Sequence, residues 1–144
     1  YYVVFIFVPV AGPTFYYKAV GLSNITQGVF PALGDYFNTH TDCLPTPGYT
    51  NGFFYELVED AKAAGERPTA AFPSSHVGIA TVCMLLAAHT RQRKLVWLML
   101  PFYVFLCMST VYIQAHYVID ALAGFVSALA IYLTLMAATK NIKN

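Results

Sequence analysis

The sequence predicts an all-helical bundle that spans a membrane, formed as a single domain over residues 1–144. Hydrophobic residues make up 58% of the chain and charged residues only 10%, whereas a typical soluble domain carries about 25% charged residues. Two apolar stretches are long enough to cross a bilayer. Basic residues gather at one end of these stretches, as the positive-inside rule requires. The net charge of +1 leaves no basic surface for nucleic acid, and three widely spaced cysteines exclude a disulfide scaffold.

The amino-terminal segment, from Tyr1 to Ala11, is apolar throughout. Eleven helical residues reach only about 17 Å at the usual rise per residue, whereas the hydrocarbon core of a bilayer is about 30 Å thick. We therefore expect this segment to be the tail of a span that starts upstream, in a domain that lacks its first spans here.

Three longer apolar stretches follow. The first runs from about Ser74 to Ala88 and contains no Lys, Arg, Asp or Glu. The second covers about 19 residues from Leu95 to Ile113, and the third covers about 22 residues from Tyr117 to Ala138. The last two meet the length rule for transmembrane helices. The first is short, and we predict it as a span with a polar mouth buried in protein, which gives three full spans in all.

Charge patterning assigns a side of the membrane to each end. Basic residues lie between the first and second stretches and after the third: Arg91, Arg93, Lys94, Lys140 and Lys143. The positive-inside rule places these residues in the cytoplasm. The segment from Gly12 to Pro73, with six acidic and three basic residues, is then predicted to be a long extracytoplasmic loop.

This loop contains one predicted helix. Phe53, Phe54 and Leu57 begin an apolar stripe at helical spacing, opposite a run of charged residues. Asn51 is a suitable amino-terminal cap and Gly65 a suitable stop. The pattern favours a short amphipathic helix that lies on the membrane surface or on the spans.

The third stretch carries an ionisable pair at its outer end. His116 lies four residues before Asp120. If the helix already includes His116, the carboxylate can accept the Nδ1–H of the imidazole and leave the Nε2 lone pair free. A nucleophile or a general base needs this arrangement. A pair that only fixes helix packing is the alternative interpretation.

The start of the first stretch has the composition of an anion site. Pro73 and Ser74 favour a helix start with Ser74 as its cap, and Ser75 and His76 fall in the first turn, where free N–H groups attract anions. Arg67 is the only arginine of the predicted outer loop and could hold a phosphate with two hydrogen bonds. The topology brings this helix start and the His116 pair to one mouth.

These motifs resemble those of the type 2 phosphatidic acid phosphatase superfamily, whose three signatures are KxxxxxxRP, PSGH and SRxxxxxHxxxD. PSSH at residues 73–76 is similar to the second signature, and Ser109, His116 and Asp120 match the third at its spacing. The resemblance covers about residues 67–125 at the level of motifs.

Two departures accompany the resemblance. Thr110 stands where the third signature usually has a phosphate-binding arginine, and Asp60 stands where the first signature has its lysine, with Lys62 nearby. The variant third motif and the Ala-Phe-Pro-Ser before His76 are similar to the inositol phosphorylceramide synthase branch, which transfers a phosphoryl head group to a lipid alcohol instead of water.

The resemblance implies a role for each matched residue. His116 would attack phosphorus, Asp120 would orient it, and His76 would protonate the leaving oxygen. Arg67, Ser74 and Ser75 would bind the phosphate oxygens. Possible accessory positions are Lys62, Ser109 and Thr110.

The implied function is a metal-independent lipid phosphatase or phosphotransferase that uses a phosphohistidine, needs no cofactor, and acts on a lipid phosphate at the extracytoplasmic face. A head-group transferase of the inositol phosphorylceramide synthase type is one alternative. A catalytically degenerate lipid-binding module is a second, which the broken first signature and Thr110 favour. A metal site of two histidines and one carboxylate, formed by His76, His116 and Asp120, is a third.

Overall fold

The computed structural model describes residues 1–142, which form seven α-helices and one short 3-10 helix. The helices are α1 (Tyr2–Phe7), α2 (Pro13–Val20), α3 (Leu22–Thr26), α4 (Phe53–Gly65), α5 (Ser75–His89), α6 (Arg93–Tyr112) and α7 (Val118–Ile142), and the 3-10 helix is Gly34–Asn38. The predicted all-helical class is therefore confirmed for the described residues.

Two helices are long and apolar enough to cross a membrane. They are α6 and the Val118–Thr139 part of α7. Large apolar side chains on α6 are open to the surroundings; Trp97, Phe102 and Phe105 are each at least 70% exposed. Exposed apolar side chains of this kind are typical of a helix that faces lipid, because a helix of a soluble protein buries its apolar face.

Helix α5 has the predicted position but only 15 residues. At 1.5 Å per residue it reaches about 22 Å, which is shorter than the hydrocarbon core. It packs against both α6 and α7, and the Thr81 hydroxyl on α5 lies 2.9 Å from the Tyr103 hydroxyl on α6. That α5 forms a third span stays a prediction.

The amino-terminal segment differs from the expected continuous helix. Helix α1 ends at Phe7, and the chain then extends so that Val10 pairs with Ala70 in an isolated parallel bridge. The Ala71 N–H donates to the Val10 carbonyl at 3.1 Å, and the Gly12 N–H donates to the Pro68 carbonyl at 2.9 Å. These backbone bonds tie the segment to the residues that precede α5.

The predicted amphipathic helix is present as α4. It begins after Gly52, which takes the cap position without a side-chain hydrogen bond, so Asn51 is not the cap. Gly65 is its last residue, as the sequence predicts. Phe53 and Phe54 are 71% and 78% exposed, so the described residues leave the predicted apolar stripe largely uncovered.

The orientation across the membrane stays a prediction. Arg91, Arg93 and Lys94 lie where α5 passes into α6, at the end of α5 opposite to Ser75. Lys143 and the side chain of Lys140 lie outside the described part of the chain.

Candidate active site

Three parts of the chain meet at the amino-terminal end of α5. The Ser74 N–H donates to the Asp120 carbonyl at 2.9 Å, which joins the start of α5 to the first turn of α7. The Thr14 N–H donates to the Gln114 carbonyl at 3.2 Å, which joins the start of α2 to the turn between α6 and α7. The predicted convergence of the PSSH helix start with the His116 region is therefore present in the structure.

His116 lies in the turn between α6 and α7 and is buried, with 5% of its surface exposed. Its N–H donates to the Thr110 carbonyl at 3.1 Å, and Gln114 takes a left-handed backbone conformation with φ of 60° to close the turn. The His116 Nδ1 lies 2.8 Å from the Ala71 carbonyl oxygen. Because a carbonyl can only accept, Nδ1 must carry the hydrogen, and Nε2 then has the free lone pair.

Asp120 does not make the expected hydrogen bond to His116. Its Oδ2 lies 3.9 Å from the His116 Nδ1 and accepts the Tyr117 N–H at 2.8 Å. The physical reason is that α7 begins at Val118, so His116 lies outside the helix and the i, i+4 geometry does not apply. Asp120 is 1% exposed and acts as a buried cap whose carboxylate is close enough to stabilise a charged imidazole.

His76 lies in the first turn of α5 and is exposed. Its Nδ1 lies 3.4 Å from the His116 Nε2, and the two ring centroids are 5.7 Å apart in an edge-to-face arrangement. The free nitrogen of His116 therefore faces the only other histidine of the two motifs.

The electrostatic environment of His116 keeps its imidazole neutral. The pKa of His116 is lowered from 6.5 to about 4, chiefly by burial; the hydrogen bond to the Ala71 carbonyl opposes this shift, and the nearby His76 adds a smaller lowering effect. At neutral pH the ring therefore has an unprotonated Nε2, as a nucleophile requires.

Ser74 and Ser75 have different environments. Ser74 is completely buried, and its Oγ accepts the Val77 N–H at 3.4 Å as the cap of α5. Ser74 therefore has no exposed surface through which it could make the direct contact with phosphate that the sequence predicts. Ser75 is partly exposed at the first position of α5, next to the free N–H groups of the helix start.

Gly124 holds α7 close to the start of α5. A Cβ built at this position would overlap the Ser74 carbonyl oxygen and would lie 3.3 Å from both the carbonyl carbon and the Cβ of Ser74. Only a glycine allows this approach. Together with the hydrogen bond from the Ser74 N–H to the Asp120 carbonyl, this contact fixes the position of the start of α5, and so of His76, relative to α7.

The cationic residues of the first signature separate in the structure. Arg67 is exposed, in the turn that leads to Ala71. The Lys62 ammonium instead donates to the Leu44 carbonyl, to the Thr46 hydroxyl and to Glu59, each at 3.1 Å. Because these three partners occupy its donors, Lys62 ties the outer loop to α4 and is not positioned as a phosphate ligand.

The hydroxyls of the third signature bond back to their own helix. Ser109 donates to the Leu106 carbonyl at 3.1 Å, and Thr110 donates to the Cys107 carbonyl at 3.0 Å. Thr110 is 6% exposed. Neither hydroxyl is directed at the histidine pair, and Thr110 contributes to the site through its carbonyl, which accepts from His116.

The geometry does not support the alternative metal site. Within residues 1–142, no group of three or more His, Cys, Asp and Glu side chains has an arrangement that could hold a metal ion. The His116 Nδ1 and the Asp120 Oδ2 both bond to backbone groups, and the free ring nitrogen of His116 faces His76 instead of Asp120.

A sequence model of the PAP2 superfamily matches residues 1–134. The chain belongs to the PAP2 superfamily. No curated protein and no solved structure matches it significantly. Membership of the PAP2 superfamily confirms the resemblance at the level of the superfamily and indicates a phosphatase or phosphotransferase. With the two long apolar helices, it also indicates a membrane protein. The inositol phosphorylceramide synthase branch stays a prediction.

Sequence reasoning missed the group that selects the tautomer of His116. That group is the backbone carbonyl of Ala71. Every residue type has such a carbonyl, so the sequence cannot indicate its role. Gly124 had a partial signal, since it belongs to a small-residue face on the last helix with Ala121 and Ala128, but the sequence does not say which residue that face contacts.

Proposed function

We propose that this PAP2 protein transfers a phosphoryl group from a lipid phosphate ester through a phosphohistidine on His116, without a metal ion. The observation that carries the proposal is the neutral, buried His116, whose Nε2 faces His76 at the start of α5. Phosphoryl transfer requires mainly the positioning of groups and the stabilisation of charge, and both are available at this end of the bundle.

The first step forms the bond from the His116 Nε2 to phosphorus and breaks the bond from phosphorus to the leaving oxygen. His76 gives its proton to that oxygen. The His116 ring becomes positively charged, and its Nδ1–H keeps the hydrogen bond to the Ala71 carbonyl. The carboxylate of Asp120, 3.9 Å away, stabilises the charged ring.

The second step returns the enzyme to its starting state. His76, now neutral, takes a proton from water or an alcohol while the oxygen of that acceptor attacks phosphorus. The bond from phosphorus to Nε2 breaks, and its electron pair returns to the nitrogen. With a monoester substrate and water as acceptor, the product is free phosphate. With a diester substrate the head-group alcohol stays bonded to phosphorus, so water releases the phosphorylated head group. An alcohol acceptor gives a new phosphoester in either case.

The phosphate oxygens would bind to the Ser75 hydroxyl, to the N–H groups of the first turn of α5 and to Arg67. Ser74 would support this site as a buried cap rather than as a ligand. The 3.4 Å between the two imidazole nitrogens leaves no room for a phosphoryl group, so His76 must turn aside when substrate binds. Its exposed position at a helix start permits that movement.

The structure favours a head-group transferase as the second candidate. In place of the usual arginine, Thr110 is buried and bonded to its own helix, and Lys62 is bonded elsewhere. Of the cationic positions considered for the site, this leaves Arg67. A phosphodiester carries one negative charge, whereas a phosphomonoester carries close to two at neutral pH. A site with one cation therefore suits a phosphodiester lipid, the substrate that a head-group transferase uses.

Turnover of labelled lipids by the detergent-solubilised chain tests the proposal. Phosphatidic acid and a phosphodiester lipid are each assayed with and without a long-chain alcohol acceptor, and products are separated by thin-layer chromatography. His116→Gln should lower turnover by at least about 10³-fold, whereas His40→Gln, an exposed histidine of the outer loop, should leave it unchanged. Turnover that survives His116→Gln would refute the nucleophile, and lipid binding without any turnover would favour a degenerate module.

We also propose that the active-site end faces the extracytoplasmic side. The support is the cluster Arg91, Arg93 and Lys94 at the opposite end of α5. A cysteine introduced at Ala64, an exposed position of α4, should react with an impermeant thiol reagent in intact cells after the native cysteines are removed. Reaction only after cells are opened would reverse the orientation.

A further inference from the structure

A cavity of about 410 Å³ has Tyr117, the residue that follows His116, in its wall. Its walls come from residues 9–11, from Tyr16 on α2, from the loop at residues 31–38, and from Thr69 and Tyr117. Tyr117 directly follows His116 in the chain, and Thr69 lies two residues before Ala71, whose carbonyl holds His116. The volume falls within the usual range for small-molecule sites, and the cavity contains none of the residues assigned above to phosphoryl transfer.

The lining combines aromatic rings with one carboxylate. Tyr16, Phe37 and Tyr117 supply three aromatic side chains, and Asp35 is the only formally charged residue among the lining positions. The Tyr117 ring is held edge-to-face against Tyr17 at a centroid distance of 6.1 Å. Aromatic faces attract cations, most notably methylated ammonium groups, and an acidic side chain adds charge attraction.

Other head-group chemistries fit this lining less well. A second phosphate would meet the Asp35 carboxylate and no cation. A polyol would need many hydrogen-bonding partners, but the Tyr16 hydroxyl already donates to the Pro31 carbonyl at 2.9 Å. Besides Asp35, the remaining polar groups are the Asn38 and Thr69 side chains and the Tyr117 hydroxyl, which share the cavity with a majority of apolar residues.

We propose that this cavity binds the ammonium end of the substrate's head group, so that the substrate is a phosphodiester lipid with a choline- or ethanolamine-type alcohol. This proposal rests on the proposed function, since it places the phosphorus at His116 and the alcohol substituent beside Tyr117. The ammonium contacts the rings of Phe37 and Tyr117, with Asp35 as its counter-ion.

Direct binding measurements test the cavity separately from catalysis. The probes are choline and myo-inositol, titrated into the full chain in an uncharged maltoside detergent and followed by ligand-observed NMR. Asp35→Asn removes the counter-ion, and Asp42→Asn is the matched control, because Asp42 is an exposed acid of the same outer segment that does not line the cavity. Phe37→Leu removes a ring and keeps an apolar side chain.

Choline should bind saturably, and Asp35→Asn and Phe37→Leu should each weaken its binding by about threefold to fivefold, the size of one exposed cation–π or ionic contact. Asp42→Asn should leave the binding unchanged, and so should His116→Gln. In turnover, Asp35→Asn should raise KM for a choline lipid more than for phosphatidic acid.

Three results would overturn the inference: choline that does not saturate, equal weakening by Asp35→Asn and Asp42→Asn, or tighter binding of myo-inositol than of choline. Phosphohistidine formation together with any of these results would leave the proposed function standing. Specific choline binding without phosphohistidine would instead leave the cavity standing and refute the chemistry.

Discussion

Substitution of Gly124 by alanine should separate the fold of the bundle from the alignment of the two histidines. The added methyl group would overlap the Ser74 carbonyl oxygen and would approach the Ser74 carbonyl carbon to 3.3 Å. Ordinary non-bonded contacts between heavy atoms lie at about 3.5–4.0 Å, so the start of α5 must move away from α7 by about 1 Å. His76 moves with it, because it lies two residues after Ser74 in the first turn.

The expected effect on activity follows from that displacement. A misplacement of about 1 Å can cost about 10²-fold in rate, so Gly124→Ala should lower turnover by about that factor with little change in substrate affinity. The cost in stability should be about 1–3 kcal/mol for the forced repacking, offset in part by the better helix propensity of alanine. Loss of activity should therefore exceed loss of folded protein.

The assay compares the rate of the first turnover with the thermal midpoint measured by circular dichroism in the same detergent. Gly65→Ala is the matched control, because a Cβ at Gly65 would meet no atom within 4 Å. Activity of Gly124→Ala within threefold of the wild type, in a folded protein, would refute the reasoning. Equal losses from the two glycine substitutions would refute it as well.

Further predictions concern three other residues. His116 should titrate near pH 4 in an NMR experiment with labelled histidine, because burial lowers its pKa to about 4; a value of 6.5 or above would contradict its burial. The unfolded state binds this proton at a higher pH than the folded state does. His116 should therefore contribute about 3 kcal/mol of stability above pH 6.5, and this contribution is lost as the pH falls towards 4. Lys62→Met should lower the free energy of unfolding in chemical denaturation by about 1–3 kcal/mol and speed proteolysis of the outer loop, while turnover stays within about threefold of the wild type. Lys18→Met, at an exposed lysine, is the control and should change neither the stability nor the proteolysis. A loss of turnover without a loss of stability would instead assign Lys62 to the phosphate site. The side chain of Asp120→Asn can still accept the Tyr117 N–H, so the thermal midpoint should be unchanged. The phosphoenzyme should form about 10²-fold more slowly, because the negative charge 3.9 Å from the His116 ring is lost. An unchanged rate would show that Asp120 acts only as a cap.

The sequence carries most of the helical framework because hydropathy and caps are local signals. The predicted cap, Ser74, is the observed cap of α5, which begins at Ser75, since a serine after proline is a strong local cap. The amphipathic helix ends at Gly65 as expected. The amino-terminal segment was predicted less well, because apolar composition alone does not reveal that Val10 pairs with Ala70.

The candidate site shows where local signals stop. Motif spacing identified His76, His116 and Asp120, which the structure brings together at one end of α5. It could not show that the turn before α7 excludes His116 from the helix, so the hydrogen bond at Nδ1 goes to the Ala71 carbonyl instead of Asp120. Nor could it show that Lys62 is bound to the Leu44 carbonyl and the Thr46 hydroxyl. These outcomes depend on contacts between residues far apart in the chain, which no local pattern encodes.

The most direct test of the account is the position of the phosphoryl group on a trapped phosphoenzyme. The chain is mixed with labelled lipid substrate and quenched in alkali, which preserves phosphohistidine, and the isomers are separated after digestion. Because the Ala71 carbonyl holds the Nδ1–H of His116 and leaves Nε2 free, the account predicts the Nε2 isomer on His116, absent in His116→Gln. Phosphate on Nδ1, phosphate on His76, or turnover with no phosphoenzyme would contradict it.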